Sequence, residues 1–212
     1  MTQSNTSSSH KLHAVCVYCG ARPGAGDTYT NAARQAGNLL AERGISLIYG
    51  AGSTGMMGAV ADGVLEAGGE VIGVIPRGLH RHEQTHPGLS QLHVVNDMHE
   101  RKALMEVLSD GLIALPGGYG TLDEMFEALT WSVLGIHQKP CGMLNVNGYW
   151  DPLMAAVEHM LAEEFISQAY HERILMHARF EDLLDDMERH MPAEQVIWQF
   201  GPGEGPRKSS RR

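Results

Sequence analysis

Short apolar runs alternate with segments of helical periodicity along most of the chain, and this alternation limits the possible fold more than any other feature. A parallel sheet needs a crossover between consecutive strands, and helices on both faces leave its strands continuously apolar. The strand candidates are Ala14 to Cys19, Ile45 to Tyr49, Glu70 to Ile75, Leu92 to Val95, Gly111 to Leu115 and Pro140 to Val146. The helix candidates are Thr28 to Arg43, Gly55 to Ala67, Asp97 to Ser109, Thr121 to Leu134, Asp151 to Glu164 and Phe180 to His190. The pattern predicts an α/β fold, a doubly wound, mainly parallel Rossmann-like sheet with helices on both faces.

The chain length fits one domain with a full-sized core. We expect its 212 residues to form a single domain, 1–212, that is ordered from about residue 12 to residue 192. The first ten residues are polar, and residues 201–212 are rich in proline, glycine and charged side chains. Both tails, 1–10 and 201–212, are therefore predicted to be flexible.

Composition excludes several classes of protein. No apolar stretch approaches the roughly 20 residues that a membrane span needs. The first ten residues lack the apolar core of a secretion signal, so a cytoplasmic location is expected. Asp and Glu outnumber Lys and Arg by 25 to 16, and the net charge of -9 argues against nucleic acid or an anionic membrane as a partner. Any phosphate must be held by local groups.

Two groups of side chains have the spacing of metal or redox sites without the expected surroundings. The cysteines are Cys16, Cys19 and Cys141, and the clustered histidines are His80, His82 and His86. The C-x-x-C pair, Cys16 and Cys19, lies on a predicted strand rather than at the start of a helix. The odd number of cysteines favours reduced thiols over a set of disulfides. The histidines lie in a predicted loop with no evident supporting groups. We predict neither a metal nor a cofactor.

Residues 116–124, Pro-Gly-Gly-Tyr-Gly-Thr-Leu-Asp-Glu, follow a predicted buried strand and have the composition of a phosphate-binding loop. Three glycines within four positions let the backbone turn sharply and bring several N–H groups close to an anion. Thr121 can begin a helix whose positive end faces that anion. The loop predicts a phosphorylated small-molecule ligand.

A second glycine loop, residues 50–55, follows the strand Ile45 to Tyr49 and has the dinucleotide spacing G-x-G-x-x-G. Dinucleotide sites also use an acidic residue about 20 positions further on, at the end of the next strand. Glu70 has that spacing, but it begins its strand and would lie at the opposite edge of the sheet. We therefore disfavour NAD(P) and expect Gly52 to lie close to a smaller nucleotide.

Residues 97–105 predict a helix that begins with a capping box, in which Asp97 caps and Glu100 reaches back. Arg101 and Lys102 then fall near the helix start, where cations oppose the helix dipole. A bound anion would compensate them, and so would ion pairs at a solvated surface. Glu124 also has two interpretations, because Thr121-Leu-Asp-Glu124 is itself a capping box and yet stands beside the predicted phosphate loop.

Three motifs together resemble the Lonely Guy phosphoribohydrolases, a family often labelled lysine decarboxylases. Residues 116–124 match P-G-G-x-G-T-x-x-E, and residues 98–102 match M-H-x-R-K. Further similarity covers residues 49–58, 73–76, 129–131 and 144–149, within about Val15 to Leu184. The resemblance implies cleavage of cytokinin riboside 5′-monophosphates, and to a lesser extent AMP, to free base and ribose 5-phosphate. A decarboxylase would need a lysine-bound cofactor, for which we find no recognisable site.

Carried over by position, the resemblance implies that Arg101 and Glu124 are catalytic. The implied substrate-binding residues are Glu83, Lys102, Gly117, Gly118, Tyr119, Gly120, Thr121 and Thr130, to which we add Gly52 and Met98. The expected partner is a small nucleoside monophosphate. The resemblance also implies a homodimer, to which the Trp131 helix and the Trp150 segment would contribute.

The sequence departs from the family pattern at three places. Ala51 replaces a usual glycine, Ala21-Arg22 replaces a usual pair of serines, and Asp123 stands where glutamate is common. These changes concern substrate preference more than the reaction. Arg22 is either an added phosphate contact or a solvent-facing loop cation. A nucleotide-binding module without turnover remains the alternative to the enzyme.

Overall fold

The computed structural model describes residues 11–80, 85–192, 196–199 and 207–210, the last two segments as backbone only. Seven strands form one sheet in which every pair of neighbours is parallel. The strands are β1 Ala14–Tyr18, β2 Ser46–Tyr49, β3 Val71–Pro76, β4 Gln91–Val95, β5 Gly111–Ala114, β6 Cys141–Leu144 and β7 Ile174–His177. Their order across the sheet is β4-β3-β2-β1-β5-β6-β7. The predicted α/β fold with a parallel Rossmann-like sheet is confirmed.

Helices connect the strands, and the six predicted ones are present with shifted ends. The helices are α1 Thr28–Glu42, α2 Gly55–Glu66, α3 Arg77–His80, α4 Met98–Val107, α5 Tyr119–Val133, α6 Asp151–Ala162, α7 Gln168–His171 and α8 Phe180–Arg189. A short 3-10 turn, Val146–Gly148, precedes α6. None of the helices in the described part of the chain is long and apolar enough to cross a membrane.

Two apolar cores lie on opposite faces of the sheet. One core holds Leu40 of α1, Val60 of α2 and Leu183 of α8, all fully buried. The other holds Met105 of α4 and Met125 of α5. The helices that follow the central strands β1 and β5 therefore leave the sheet on opposite sides, which opens a crevice beyond the carboxyl ends of these strands.

Glycines inside α1 and α2 have a packing role that the sequence did not indicate. A Cβ on Gly37 would overlap the carbonyl oxygen of Val60, and a Cβ on Gly63 would overlap that of Arg34. Both positions must be glycine because the two helix backbones touch there. This close contact fixes α2, whose first residue, Gly55, belongs to the second glycine loop.

Besides the 3-10 turn, three short elements of the main domain and a strand pair near the C-terminal end were not predicted. The strand β7 and the one-turn helices α3 and α7 are too short for their periodicity to be recognised. In the tail, Arg207–Ser210 forms a strand, β9, that pairs antiparallel with β8, Val196–Gln199, and the flexibility of residues 201–212 stays a prediction. Backbone hydrogen bonds form this pair whatever the composition of the Pro/Gly-rich stretch between the strands. The predicted flexible tail 1–10 lies outside the described residues.

Candidate active site

A cleft of about 570 Å³ lies at the crevice between the loops that follow β1 and β5. Its lining comes from the end of β1, the loops after β1, β2 and β5, the first turns of α1, α2 and α5, the helix α4, and Tyr149 beside the 3-10 turn. The predicted site residues that line it are Arg101, Gly117, Gly118, Gly120, Thr121 and Glu124. The sheet topology thus brings together three motifs that are far apart in the sequence, those at residues 49–58, 98–102 and 116–124.

Residues 116–120 after β5 form the phosphate-type loop, which leaves open space where a ligand would lie. A Cβ added to Gly118 or to Gly120 would meet no atom within 4 Å. The first hydrogen bond of α5 runs from the N–H of Leu122 to the carbonyl oxygen of Gly118, 3.1 Å away. The N–H groups before Leu122 precede this bond and can be donated to an anion.

The predicted start of α5 at Thr121 is wrong, because the helix begins at Tyr119 with Gly118 as its N-cap. Gly117 has no room for a side chain, since a Cβ there would overlap the Thr121 hydroxyl, and Thr121 packs inward with 3% exposure. Glu124 is then the sixth residue of α5 and cannot close a capping box. The capping interpretation of this carboxylate is therefore excluded.

The other predicted cap, at the start of α4, is confirmed. The Asp97 carboxylate accepts a hydrogen bond from the N–H of Glu100 at 2.9 Å. The Glu100 carboxylate accepts one at 2.8 Å from the N–H of Asn96, one residue before the position that a capping box uses. This double cap fixes the first turn of α4, and the next two residues are Arg101 and Lys102.

Arg101 is a buried cation with an unused donor. Only 8% of the residue is exposed, and its Nε has no hydrogen-bond partner among the described residues. Its Nη1 lies 3.7 Å from the sulfur of Met98, a weak acceptor. The guanidinium also rests on Gly50, where any Cβ would overlap it. Because an unpaired buried donor is costly, this arrangement favours an incoming acceptor such as a substrate oxygen.

Glu124 faces Arg101 in the cleft with a perturbed pKa. Burial raises the pKa of its carboxyl to about 7, although the nearby positive charge of Arg101 lowers it. The group is thus poised to change charge near neutral pH. Such a carboxylate in a cleft is suited to general acid–base work or to stabilising positive charge.

Lys102, which the resemblance places among the substrate-binding residues, is engaged elsewhere. Its Nζ lies 2.8 Å from Glu127 and 3.1 Å from Asp123, both on α5, and the residue does not line the cleft. Burial alone would lower the pKa of Lys102, but these two hydrogen bonds outweigh burial and raise it. These two ion pairs join the buried Lys102 of α4 to partly exposed carboxylates of α5 and so hold Arg101 opposite Glu124. Arg101 and Lys102 are each only 8% exposed, and Lys102 pairs with α5 rather than with an acidic residue of its own helix.

The remaining predicted substrate-binding residues do not line the cleft of the single chain. Tyr119 is 94% exposed, and Met98 is 40% exposed. The exposed Thr130 donates its hydroxyl hydrogen to the carbonyl oxygen of Phe126 in its own helix. Gly52 forms a backbone bridge with Thr85. Glu83 lies outside the described residues.

Some cleft residues were not identified as functional from the sequence. The Tyr149 hydroxyl donates a hydrogen bond of 2.6 Å to the carbonyl oxygen of Gly117, which ties the 3-10 turn before α6 to the phosphate-type loop. Tyr29 packs edge-on against Tyr149, with ring centroids 5.6 Å apart. The signal was present in residues 144–149, which share the family pattern, but it did not indicate a contact with the loop.

The cysteines and histidines adopt structural positions. All three thiols are free, and burial raises the pKa of both Cys16 and Cys19 well above its ordinary value. His86 Nε2 lies 3.0 Å from the Asp62 carboxylate. His82 lies outside the described residues, and within the described part of the chain no cluster of three potential metal ligands is found.

Relatives with curated names share most of the chain. The protein is 48% identical to the cytokinin riboside 5′-monophosphate phosphoribohydrolase of Rhodococcoides fascians over 164 residues. These residues are 77% of this chain and 83% of that protein. It is 42% identical over 190 residues to the cytokinin riboside 5′-monophosphate phosphoribohydrolase LOG of Oryza sativa subsp. japonica, covering 89% of this chain and 78% of the relative. The enzyme LOG3 of Arabidopsis thaliana is 43% identical over 187 residues, 88% of this chain and 87% of that one.

Solved structures share the fold at lower identity. The molybdenum cofactor carrier protein of Chlamydomonas reinhardtii has a TM-score of 0.64 and 20% identity, covering 84% of this chain and 96% of that chain. The molybdenum cofactor binding protein of Rippkaea orientalis has a TM-score of 0.62 and 23% identity, covering 83% and 95%. These similarities concern the Rossmann-like fold alone.

A family profile described as "Possible lysine decarboxylase" matches residues 57–187, which include both α4 and the phosphate-type loop. The matched span and the identity to the named relatives agree with the motifs at residues 98–102 and 116–124. The chain therefore belongs to the Lonely Guy family, whose curated members found here are named cytokinin riboside 5′-monophosphate phosphoribohydrolases.

Proposed function

We propose that this protein hydrolyses the N-glycosidic bond of cytokinin riboside 5′-monophosphates, and of AMP, releasing the free base and ribose 5-phosphate. The observation that carries the proposal is the pairing in one cleft of buried Arg101, with its unpaired Nε, and Glu124, with its pKa raised to about 7. The names of the relatives support the same reaction.

The 5′-phosphate belongs at the start of α5. Gly118 and Gly120 leave open space there, and backbone N–H groups of the first helical turn can bind phosphate oxygens. The positive end of the helix dipole adds to this attraction. With the phosphate held at this loop, the ribose lies toward Glu124, five residues after Tyr119 on the same helix.

Hydrolysis breaks the bond between C1′ and the base nitrogen, and the electron pair leaves with the base. Positive charge then develops on the ribose ring, which the Glu124 carboxylate stabilises electrostatically. The same carboxylate orients a water molecule and accepts its proton as the water oxygen bonds to C1′. The proton finally reaches the departing base, so that water is divided between the two products.

Arg101 can bind the substrate and Glu124 at the same time and so orient one relative to the other. Its guanidinium offers several donors in a fixed plane, which suits bidentate contact with ribose hydroxyls or a carboxylate. The base would lie against the methionine side of the cleft, formed by Met56, Met57 and Met105. Thioether side chains adapt to irregular apolar groups, and this is compatible with both adenine and a base that carries an apolar chain.

The decarboxylase label of the family profile has no support in the cleft. A lysine that forms a Schiff base must lose its proton, whereas the pKa of Lys102 is raised by its two carboxylate partners. Lys139 is bound to Glu106, with Nζ 2.6 Å from the carboxylate. Neither of these lysines lines the cleft.

Release of free base, separated by chromatography, tests the proposal with AMP and isopentenyladenosine monophosphate as substrates. We expect release by the wild type, a decrease of about 100-fold or more for Glu124→Gln, and no change for the exposed control Glu42→Gln at the far end of α1. Full activity of Glu124→Gln would refute its catalytic role. Bound nucleotide without base release by the wild type would favour a nucleotide-binding module without turnover.

We further propose that the protein acts as a homodimer in the cytoplasm. Free thiols suit a reducing compartment. Large apolar side chains are exposed near the ends of α5 and α6, including Leu134 at 68% and Phe165 at 83%. Trp150 itself is buried at 2% exposure, so it would support a dimer surface from within rather than contact the partner. Sedimentation analysis should give about twice the chain mass of 23.1 kDa, and a single-chain mass would refute the dimer.

A further inference from the structure

One cation at the cleft has no assigned task. Arg22 lines the cleft in the segment that follows β1, is exposed, and forms no ion pair or side-chain hydrogen bond with the described residues. Arg34, by contrast, is paired with Asp62 and Glu66. The family pattern has serine in this region, so the role of Arg22 does not follow from the resemblance.

The backbone from Gly20 to Arg22 contacts both glycine loops. The N–H of Gly20 donates to the carbonyl oxygen of Pro116 at 3.1 Å, which joins this segment to the phosphate-type loop. Gly55, with φ of +62°, packs so tightly that a Cβ there would overlap the carbonyl of Ala21 and lie 2.8 Å from the Arg22 carbonyl carbon. The backbone that carries the Arg22 side chain is therefore fixed beside the phosphate-type loop.

The charge balance of the cleft leaves room for a second cation. A phosphate monoester carries about -1.5 to -2 charges near pH 7. The cleft is lined by two cations, Arg101 and Arg22, because Lys102 is bound to two carboxylates outside it. Arg101 faces the negative charge of Glu124. In a protein of net charge -9, a phosphate dianion needs a nearby cation of its own.

We propose that Arg22 binds the 5′-phosphate of the substrate and strengthens the preference of this enzyme for nucleotides over nucleosides beyond what the phosphate-type loop provides. Its guanidinium can donate two parallel hydrogen bonds to phosphate oxygens, in addition to the N–H groups at the start of α5. Arg22 takes no part in bond cleavage. Its removal should therefore raise KM more than it lowers kcat. The inference rests on the proposed function for the identity of the substrate, but the phosphate contact can be tested by binding alone.

The test compares Arg22→Ala, Arg22→Lys and Arg22→Ser with wild type. Arg189→Ala is the matched control, because Arg189 is also exposed but lies at the far end of α8, where it pairs with Asp186. Calorimetric titrations with AMP, ribose 5-phosphate and adenosine separate phosphate binding from base binding, and each arginine variant is titrated in the Glu124→Gln background so that AMP is not consumed. For Arg22→Ala we expect affinity for the two phosphates to fall about 10- to 100-fold and affinity for adenosine to stay within twofold. Arg22→Lys should retain part of the difference.

Two outcomes overturn the proposal. One is AMP affinity of Arg22→Ala equal to that of Arg189→Ala, and the other is an equal loss for AMP and adenosine. Failure of the proposed function looks different. If the wild type binds AMP without releasing adenine, while Arg22→Ala selectively weakens phosphate binding, the Arg22 contact stands and the hydrolase proposal falls.

Discussion

The two glycine loops of this protein are similar in sequence but differ in what surrounds their glycines. Residues 50–55 and residues 116–120 each follow a central strand and lead into a helix. In the first loop the space beside the glycines is filled by protein, with Gly50 under the guanidinium of Arg101 and Gly52 against Met57. In the second loop Gly118 and Gly120 face open space. The first loop is packed into the site, and the second is the loop at which we propose that the phosphate binds.

This difference explains why the dinucleotide spacing of residues 50–55 is misleading. A phosphate cannot approach backbone that Arg101 and Met57 already cover. Glu70, the acidic residue at the expected distance, lies before β3 and accepts a hydrogen bond from the Ser46 hydroxyl at the opposite edge of the sheet. Glycine is required at the first loop because side chains pack there, and the proposed phosphate site would require it at the second.

The largest effect is expected from Gly50→Ala. The new methyl group would occupy the position of the Arg101 guanidinium and displace it from Glu124. Because a small misplacement of a catalytic group can cost about 100-fold, we expect kcat/KM for AMP to fall by at least that factor. Circular dichroism should show that the variant is folded.

Gly78→Ala serves as the control, since a Cβ at Gly78 would meet nothing within 4 Å and Gly78 does not line the cleft. It should retain wild-type activity. If Gly50→Ala were equally active, Arg101 would not need its present position and the contrast between the loops would fail.

The pH dependence of the rate distinguishes the two loops further. Burial raises the pKa of Glu124 to about 7, and the proposed reaction needs its carboxylate form. The value of kcat/KM should therefore rise as the pH increases through about 7 and level off above it. Arg101 lowers this pKa, so its displacement in Gly50→Ala should shift the rise to higher pH.

A substitution in the second loop should leave this profile unchanged, because Gly118 does not position Arg101. Rate profiles of wild type, Gly50→Ala and Gly118→Ala from pH 5 to 10 provide the comparison. A wild-type rate that declines through neutral pH would indicate that Glu124 acts as an acid, contrary to the proposed mechanism.

Gly118→Ala and Gly120→Ala probe the open loop itself. A methyl group at either position has free space in the unliganded protein, so the melting temperature should stay close to that of wild type. The same methyl group intrudes on the ligand, and we expect AMP affinity to fall about 10-fold, by roughly 1.4 kcal/mol. Binding measured by calorimetry together with thermal melting provides both values. Unchanged AMP affinity in both variants would place the phosphate elsewhere.

The fold could be predicted from sequence because its signals are local and repeated. Six strands, five of them largely buried, and the helices between them were located to within a few residues, since apolar runs and helical periodicity persist over these elements. The strand β7, Ile174–His177, was missed because it is short and partly buried at the edge of the sheet. Boundaries set by glycine were also misplaced, as at Gly118, where the N-cap makes no side-chain hydrogen bond.

The site could be predicted only in part, because motif positions do not report which neighbours a side chain meets. Arg101 and Lys102 are adjacent, equally buried and carry the same charge, yet only Arg101 reaches the cleft. The difference depends on Asp123 and Glu127, which are more than 20 residues away and lie on α5, where they bind Lys102. Long-range pairing of this kind is invisible in a single sequence, and so was the support that Tyr149 gives to Gly117.

Ala51→Gly should have the smallest effect, on stability and not on activity. Ala51 is fully buried with φ of +67°, a left-handed conformation that costs an alanine about 1 kcal/mol or more relative to glycine. Glycine relieves that strain but loses the contacts of one methyl group and gains freedom in the unfolded chain. We expect a net gain of about 0.5 kcal/mol, seen as a rise of 1–2 °C in melting temperature, with kcat/KM within twofold of wild type. If Ala51→Gly is instead less stable, the packing of the Ala51 methyl group beside Gly73 contributes more free energy than the backbone strain costs. Packing would then determine the conformation of the first loop at Ala51 as well as at its glycines.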